Sequence, residues 1–534
     1  MTTQDSAFNL EFSRRRLLAA AGIAGGAAAA VSLIGPESVQ ATPASAPPRD
    51  RTNAPPVAGL HLQFGAEASS EVVVSWHTLQ PAHNPRVMLG TLEGKFERIV
   101  AAKETSYTDA KAGQIVYAYH ARIDHLRDDT SYLYAALHES ADPAFGTFRT
   151  APRGRARFTF TSFGDQGTPT LGKRFQPPGG VEIPKLPFVN DNLGSPAAAD
   201  TTLGVERLQP LFHLFNGDLS YANLADDRVR AWWDFWENNT RSARNRPWMP
   251  SPGNHENELG NGPIGYQAYQ TYFSVPAADG QTDVTRGLWY AFTVGSVRVI
   301  SLANDDVAYQ DGGNSYVRGY SSGAQKAWLE KELSTVHADH NIDWIVVCMH
   351  QVAVSTADKF NGADLGIREE WVPLFDKYGV DLVLCGHEHH YERSHPVRGW
   401  QKNRTLTPIP VAITTDVIDT TKGTVHMVIG GGGTSVPSNM LFFDPPQCRV
   451  ITAVGPERDP ATGKRPPIYV TEEAPWSAVR NAAHSYGFAA FTVDPGSHRG
   501  DDTTIEVTYY DVVGTSGQLA RFETFMLRRP RRDV

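Results

Sequence analysis

Apolar and polar residues follow two different patterns along this chain, and the first pattern predicts β-structure in its amino-terminal part. Glu71–Trp76 is a short run rich in β-branched residues, and Tyr117–Ile123 alternates apolar and polar positions. Such alternation is typical of a strand with one buried face. Several short strands separated by turn residues predict an all-β sandwich over residues 57–152.

From residue 153 to residue 534 the pattern changes to longer apolar runs, which are typical of strands buried on both faces in an α/β domain. Four of these runs end directly in polar motifs: Arg157–Phe163, Leu211–Asn216, Trp344–Met349 and Leu382–Cys385. Helices are predicted at Asp227–Asn238 and Ala324–Leu333. Alternation at Ile505–Tyr510 and Phe522–Leu527 predicts closing strands of a second sheet. Functional sites of α/β sheets gather at the carboxyl ends of the strands.

The first residues of the chain are typical of an export signal rather than of a folded domain. Ser13–Leu18 contains consecutive arginines, and an apolar stretch rich in alanine and glycine follows to about Ile34. This arrangement resembles a twin-arginine signal peptide over residues 1–41, cleaved after Val39–Ala41, with Ala44–Ala46 as an alternative cleavage site. A linker is predicted over residues 42–56. A transmembrane anchor is the alternative, although the stretch is weakly hydrophobic for a spanning helix.

The signal predicts a protein that uses the twin-arginine export machinery and is secreted, periplasmic or cell-wall associated. No stable membrane span is expected after cleavage of the signal. The resemblance to a twin-arginine signal implies a transport route used by proteins that fold, and often bind metal, before they cross the membrane.

Composition narrows the functional classes. With 534 residues, 41% hydrophobic and 20% charged, the chain has the composition of a folded soluble protein with two or more domains. The net charge of −9 and the absence of a long basic run in the sequence, outside the signal, disfavour a nucleic-acid-binding surface. Three cysteines cannot form a disulfide framework. Cys348 and Cys385 are interpreted as small buried hydrophobes, and a disulfide between them is the less favoured alternative.

Five short polar motifs carry the candidate chemistry. They are Gly164–Gly167, Gly217–Tyr221, Gly253–Glu256, Val347–His350 and Gly386–His389. Together they offer seven oxygen or nitrogen donors: Asp165, Asp218, Tyr221, Asn254, His350, His387 and His389. This number exceeds what one ion normally takes from a protein, and the mixture of hard oxygens and imidazoles suits iron, manganese or zinc. Two ions bridged by one carboxylate can clamp a phosphate ester.

The order of these motifs resembles the purple acid phosphatase family of the metallophosphoesterase superfamily. The Gly-Asp-x-x-Tyr sequence at 217–221 is the discriminating element, because related phosphoesterases lack the tyrosine. Similarity extends to the residues around other motifs: Pro247–Met249, Leu288–Tyr290, Trp328–Leu333 and Tyr391–Ser394. It covers most of Val57–Arg529. The resemblance implies a metallophosphoesterase fold of two mixed sheets flanked by helices. The sandwich before it, with a corner tyrosine within Asp129–Tyr134, resembles a fibronectin type III domain.

The resemblance also implies a dinuclear centre. Ferric iron, Fe(III), would be held by Asp165, Tyr221 and His389. A divalent ion, which is iron, zinc or manganese, would be held by Asn254, His350 and His387. Asp218 would bridge the two ions.

The activity implied is that of an acid phosphatase, in which metal-bound hydroxide attacks a phosphate monoester. By resemblance, His255 contacts the phosphate or donates a proton to the leaving group. Plant members resemble this chain but place further histidines shortly after the position of His350. Here Gln351–Gly366 contains none and has Asp358, Asn361 and Asp364 instead. His390 and His395 are nearby alternatives for the group that protonates the leaving oxygen, but we expect them to be structural.

Two rival functions remain open at this stage. One is a phosphodiesterase or nucleotide pyrophosphatase that uses the same metals. The other is a catalytically silent, metal-binding protein of the adhesion type, whose working part is the β-domain. The complete ligand set disfavours the silent protein. For the β-domain itself a structural or docking role is expected, with carbohydrate or partner binding as the alternative.

Overall fold

The computed structural model describes residues 54–168, 173–174, 188–189, 197–259, 264–310, 317–434, 437–439, 441–460 and 465–533. The predicted signal peptide over 1–41 lies outside these residues, as does the predicted linker except for positions 54–56. No helix within the described ranges combines the length and the apolarity that crossing a membrane requires.

The amino-terminal part is a sandwich of two four-stranded antiparallel sheets, in the orders β1-β2-β6-β5 and β4-β3-β7-β8. Its strands are β1 (Ala58–Phe64), β2 (Val72–Thr78), β3 (Arg86–Thr91), β4 (Phe96–Ala101), β5 (Lys103–Thr108), β6 (Ile115–Ile123), β7 (Ser131–Leu137) and β8 (Ala144–Arg149). The Tyr132 hydroxyl accepts a hydrogen bond from the Arg127 N–H (2.9 Å), which is the corner geometry of such sandwiches. The predicted β-sandwich is confirmed.

Two seven-stranded mixed sheets form the centre of the following α/β part, within the described residues. The first has the order β13-β12-β9-β27-β28-β29-β22. Its strands are β9 (Phe158–Phe163), β12 (Phe212–Asn216), β13 (Trp248–Ser251), β22 (Val417–Asp419), β27 (Gly487–Asp494), β28 (Asp502–Val513) and β29 (Gln518–Pro530). Strands β9, β12 and β13 are parallel, whereas β27 to β29 run antiparallel.

The second sheet has the order β14-β15-β16-β18-β23-β19-β26, and β15, β16, β18 and β23 are parallel. Its strands are β14 (Tyr290–Val294), β15 (Val297–Ser301), β16 (Trp344–Cys348), β18 (Leu382–Cys385), β19 (Tyr391–Ser394), β23 (Val425–Ile429) and β26 (Ser477–Arg480). The smaller pairings use β10 (Lys173–Arg174), β11 (Phe188–Val189), β17 (Ala363–Asp364), β20 (Val397–Trp400), β21 (Pro408–Pro410), β24 (Gln447–Val454) and β25 (Pro467–Glu473). The expected pair of mixed sheets is therefore confirmed.

Helices accompany the sheets. They are α1 (Ala197–Leu208), α2 (Arg228–Ala243), α3 (Gln267–Tyr272), α4 (Ala324–Ala338), α5 (Leu365–Glu370) and α6 (Val372–Tyr378), with short 3-10 helices at Ala222–Leu224, Asn254–Glu256 and Asn304–Asp306. The Asp227 side chain accepts from the Arg230 N–H and caps α2. Helices α2 and α4 extend five residues beyond the predicted ends of the two helical segments, and their last turns still contain buried residues, among them Ala243 and Val336.

Helix α2 joins the sandwich to the α/β part. Trp236, on α2, is buried and stacks on the ring of His61, with centroids 4.0 Å apart. Strands β1 and β2 are buried along their whole length, because this packing covers the face that an isolated sandwich would expose to water. The three cysteines are buried and free, so no disulfide links Cys348 to Cys385.

Candidate dinuclear metal centre

The centre forms where the carboxyl ends of the parallel strands of both sheets meet, as expected for α/β sheets. Four of the predicted ligands adopt left-handed backbone conformations: Asp165 (φ 61°), Asp218 (φ 53°), Tyr221 (φ 55°) and His387 (φ 73°). Non-glycine residues rarely occupy this region. Each such conformation costs about 1–3 kcal/mol and persists only where the surrounding contacts hold it in place. The chain thus turns sharply at the end of each strand and directs these side chains toward one another.

Main-chain hydrogen bonds hold the first two ligand loops side by side. The Asp165 N–H donates to Gly217 O (3.0 Å), and the Gln166 N–H donates to Asp218 O (3.1 Å). The Gly167 N–H continues the series to Leu219 O (2.8 Å). These bonds extend the pairing of β9 with β12 beyond the strands and fix Asp165 next to Asp218.

Glycines next to the ligands allow a close approach that any side chain would prevent. A Cβ atom on Gly386 would lie 2.3 Å from Asp165 Oδ2, and one on Gly253 would lie 2.3 Å from Asp218 Oδ1. Gly217 has a φ of 79°, and a Cβ atom on it would lie 2.7 Å from the side chain of His350. Glycine is therefore required at these positions by space and, at Gly217, also by conformation.

One group of donors surrounds His350. Its Nε2 lies 3.0 Å from Asp218 Oδ2, 3.0 Å from Asn254 Oδ1 and 3.1 Å from His387 Nδ1. Single donor atoms of Asp218, His350 and His387 all lie within 4.8 Å of one another, and the three side chains are buried. Four of the seven predicted ligands therefore converge at this point.

The other three predicted ligands form a second group around the Tyr221 hydroxyl. The oxygen of Tyr221 lies 3.2 Å from Asp165 Oδ1 and 3.2 Å from His389 Nε2. His389 Nε2 is 3.4 Å from Asp165 Oδ1. Asp165 also connects the two groups, because its Oδ2 accepts from the main-chain N–H of His387 (2.8 Å).

Burial makes this donor set suitable for cations. Burial raises the pKa of the Asp165 carboxyl, and burial together with the charges of Asp165 and Asp218 raises the pKa of Tyr221 well above its ordinary value. Burial also lowers the pKa of His387. Carboxylates confined away from water need a compensating positive charge. A phenol with a raised pKa loses its proton only when a strongly charged ion binds its oxygen. The residues therefore fit a pair of hard metal ions.

Asn216 holds the two sheets in register beneath the ligands. Its main-chain oxygen accepts from His350 Nδ1 (2.8 Å), which leaves Nε2 for the ligand group. Its side-chain oxygen accepts from Ser162 Oγ (3.0 Å) and Cys348 Sγ (2.8 Å). Sequence reasoning did not single out Asn216, although a polar residue at the end of an apolar strand was the available signal.

Glu256 is a second functional residue that sequence reasoning missed, although it lies inside the Gly253–Glu256 motif. Its buried carboxylate accepts three main-chain hydrogen bonds, from Asp218 (2.9 Å), Gly253 (2.7 Å) and Leu219 (2.8 Å). It therefore fastens the loop that carries Asp218 to the loop that carries Asn254.

His255 lies at the more open side of the centre, with 21% of its side chain exposed. Its Nδ1 pairs with Asn223 Oδ1 (2.9 Å), and its Nε2 lies 3.8 Å from Asp218 Oδ2. Because the Asn223 oxygen can only accept, His255 Nδ1 carries the proton. Asn223 lies two residues after Tyr221, and sequence reasoning did not identify it.

Other residues near the motifs have contacts of their own. His390 is buried between Ser438 Oγ (2.9 Å) and Glu392 Oε2 (3.3 Å), and His395 Nδ1 pairs with Thr414 O (3.0 Å). The glycines after β23 lie against the loop that carries Asp165, since the Gly432 N–H donates to Gly164 O (2.8 Å). Of Asp358, Asn361 and Asp364 in the histidine-free segment, Asn361 reaches the main-chain oxygen of His387 (3.1 Å).

Comparisons with known families match both parts of the chain. The purple acid phosphatase N-terminal domain matches residues 57–159, which contain the sandwich. The calcineurin-like phosphoesterase family matches residues 188–391, which contain six of the seven predicted ligands. Asp165 is the one ligand that lies before this matched segment.

Individual proteins are similar over most of the chain. An uncharacterized protein of Mycobacterium tuberculosis is 59% identical over 483 residues, which are 90% of this chain and 89% of that protein. A purple acid phosphatase of Glycine max is 28% identical over 385 residues, 70% of this chain and 72% of that protein. The solved structure of a purple acid phosphatase from yellow lupin (Lupinus luteus) shares the fold, with a TM-score of 0.62 at 20% identity over 90% of this chain and 75% of that one.

We expect the substitution Glu256→Gln to destabilise the protein by about 1–3 kcal/mol, because one of the three N–H donors would then face an amide NH2 group. Urea unfolding measures this change in the free energy of unfolding. The matched control is Glu237→Gln on the exposed face of α2, which should change stability by less than about 0.5 kcal/mol. Equal effects of the two substitutions would contradict the fastening role of Glu256.

Proposed function

We propose that this chain, which belongs to the purple acid phosphatase family, is an exported acid phosphatase that hydrolyses phosphate monoesters at a pair of metal ions. Family membership makes the chain a phosphoesterase of the metal-dependent type. The observation that carries the proposal is the convergence of seven donors, six of them on buried residues, in two groups, one of which contains the Tyr221 hydroxyl.

The two groups support an unequal pair of sites. Asp165, Tyr221 and His389 would hold ferric iron, since carboxylate and phenolate oxygens suit a hard trivalent ion. Asn254, His350 and His387 would hold the divalent ion, which is iron, zinc or manganese, and Asp218 would contact both ions. When bound, the ions supply Lewis acidity toward the phosphoryl group and toward water.

The charge of this ligand set favours a phosphate ester as substrate. A ferric and a divalent ion carry five positive charges, of which two carboxylates and one phenolate balance three. The site therefore remains cationic in a buried environment, where electrostatic attraction to a phosphate dianion is strong.

His255 is the residue proposed to contact the phosphate or to protonate the leaving oxygen. Asn223 fixes the proton of His255 on Nδ1 and so sets the orientation of the ring. The ring packs on Tyr221, with centroids 4.4 Å apart, while part of the side chain reaches solvent. In its doubly protonated form, His255 can thus hydrogen-bond through Nε2 a substrate that enters from the open side, and it can transfer the Nε2 proton to the leaving oxygen.

Export through the twin-arginine machinery to the periplasm, the cell wall or the medium is the proposed route for this chain. The support is the arginine-rich segment at Ser13–Leu18 and the apolar stretch that follows it. The test locates the wild-type protein and the double variant Arg14→Lys, Arg15→Lys in the host. The wild type should be exported, and the variant should remain inside the cell.

The metal-loaded protein should hydrolyse 4-nitrophenyl phosphate with a kcat/KM at least roughly tenfold higher than for bis(4-nitrophenyl) phosphate. Asp218→Asn should abolish activity on both substrates, because it removes the carboxylate shared by the ions. A preference for the diester would assign the chain to the phosphodiesterases. Inactivity of the fully metal-loaded wild type on both substrates would favour the catalytically silent binding protein.

Iron-loaded protein should show visible absorption from charge transfer between the Tyr221 phenolate and ferric iron. Tyr221→Phe should lose this band, because the ligand that produces it is removed. The control is Tyr269→Phe, a buried tyrosine whose hydroxyl donates to Pro250 O (3.0 Å) outside the centre. Persistence of the colour in Tyr221→Phe, or its loss in the control alone, would show that another group binds the ferric ion.

His255→Ala should lower kcat on an alkyl phosphate by about 10²–10⁴-fold, because an alkoxide leaving group needs a proton. The loss on 4-nitrophenyl phosphate should be smaller, since nitrophenolate leaves without one. Metal content should equal that of the wild type, and His498→Ala, at an exposed position, is the control. Unchanged turnover of the alkyl phosphate would remove His255 from proton transfer.

A further inference from the structure

The two ring nitrogens of His387 have different surroundings. Nδ1 faces the ligand group, 3.1 Å from His350 Nε2. Nε2 points the other way and lies 3.3 Å from Oε1 of Gln310. A histidine that binds a metal through one nitrogen usually donates the proton of its other nitrogen to a fixed acceptor. Gln310 occupies the place of that acceptor.

The amide of Gln310 is held in one orientation by Asn361. Gln310 Nε2 donates to Asn361 Oδ1 (3.0 Å), and Asn361 Nδ2 donates to the main-chain oxygen of His387 (3.1 Å). The three residues form a closed circuit, in which each amide nitrogen already faces an acceptor. Reversing the Gln310 amide would place its NH2 group against the Nε2 proton of His387. It would also place its oxygen against Asn361 Oδ1, which is another acceptor. Oε1 of Gln310 must therefore face the imidazole.

The main chain around Gln310 is anchored separately. The buried carboxylate of Asp364 accepts from the N–H groups of Tyr309 (2.8 Å), Gln310 (3.0 Å) and Gly366 (2.8 Å). Two segments that are far apart in sequence are thereby fixed to each other beside the metal centre. Asp364 and Asn361 belong to the histidine-free segment Gln351–Gly366.

The turn that presents Asn361 is strained. Phe360 has a φ of 66°, which is unusual for a bulky side chain, and Gly362 has a φ of 82°. A Cβ atom on Gly362 would lie 2.6 Å from Arg449 O. Strain of this kind persists where the surrounding contacts determine the conformation, and here it brings Asn361 beneath His387.

We propose that Gln310 is a positioning residue for the divalent ion: its Oε1 accepts the Nε2 proton of His387 and so leaves the Nδ1 lone pair for the metal. Asn361 orients the Gln310 side chain, and Asp364 fixes its main chain. The inference rests on the proposed function, since it takes His387 as a ligand of the divalent ion. With a neutral acceptor, the imidazole donates electrons to the metal more weakly than it would beside a carboxylate. The positive charge of the centre then remains available to attract the phosphate.

The test measures metal release from the full-length, metal-loaded protein into excess chelator, followed by metal analysis of the protein with time. Gln310→Leu removes the acceptor and should release the divalent ion about 10–100-fold faster than the wild type. The iron held by Asp165, Tyr221 and His389 should be retained as in the wild type. Gln310→Glu keeps an acceptor for His387 Nε2 but loses the donor to Asn361, so it should release the divalent ion more slowly than Gln310→Leu does.

Gln518→Leu, an exposed position, is the matched control and should leave release unchanged. The inference is overturned if Gln310→Leu releases the divalent ion at the wild-type rate. It is also overturned if this variant loses both ions equally fast. If Gln310→Leu does not fold, as judged by thermal unfolding of the metal-free protein, Asn361→Ala takes its place. Faster release of the divalent ion by that variant supports the inference, and wild-type release overturns it. Failure of the wild type itself to bind two ions would refute the proposed function instead.

Discussion

The hydrogen bond from His350 Nδ1 to the main-chain oxygen of Asn216 joins the two sheets at the point where the ligand groups meet. Asn216 ends β12 in the first sheet, and His350 follows β16 in the second. Because the side chain of Asn216 also binds Ser162 and Cys348, the ends of three strands are fixed relative to one another. The positions of Asp165, Asp218 and His387 depend on this register, since each follows a strand end by only one or two residues.

This arrangement places polar donors where water is excluded, which is unfavourable unless cations compensate. Left-handed backbone conformations at four ligands add a conformational cost. Some of the support comes from Glu256, which holds two ligand loops together through three N–H groups. The sandwich contributes indirectly, because its packing on Trp236 buries helix α2, which follows the loop that carries Tyr221.

How much of this could be predicted from the sequence depends on whether a feature is local. The strands that end in Asp165 and Asp218 were predictable because an apolar run and the motif after it are contiguous. Gln310 carries no such mark: it contacts His387 across 77 residues of sequence and follows no motif. His61 is polar and appears in the sequence as an ordinary strand residue, yet it is buried against Trp236, since a second domain covers it. The domain boundary at 152/153 and the ligand roles themselves remain predictions.

Three histidines of the centre share one kind of support. His350 donates to the main-chain oxygen of Asn216, His255 to the side-chain oxygen of Asn223, and His387 faces the side-chain oxygen of Gln310. All three acceptors are neutral amide oxygens. The carboxylates of Asp165 and Asp218 instead face the ligand groups, and that of Glu256 faces main-chain N–H groups. Each amide fixes an imidazole without placing a further negative charge beside the ring. A centre that must attract a phosphate dianion gains from this division, because an added carboxylate close to the metals would repel the substrate in a medium of low dielectric constant.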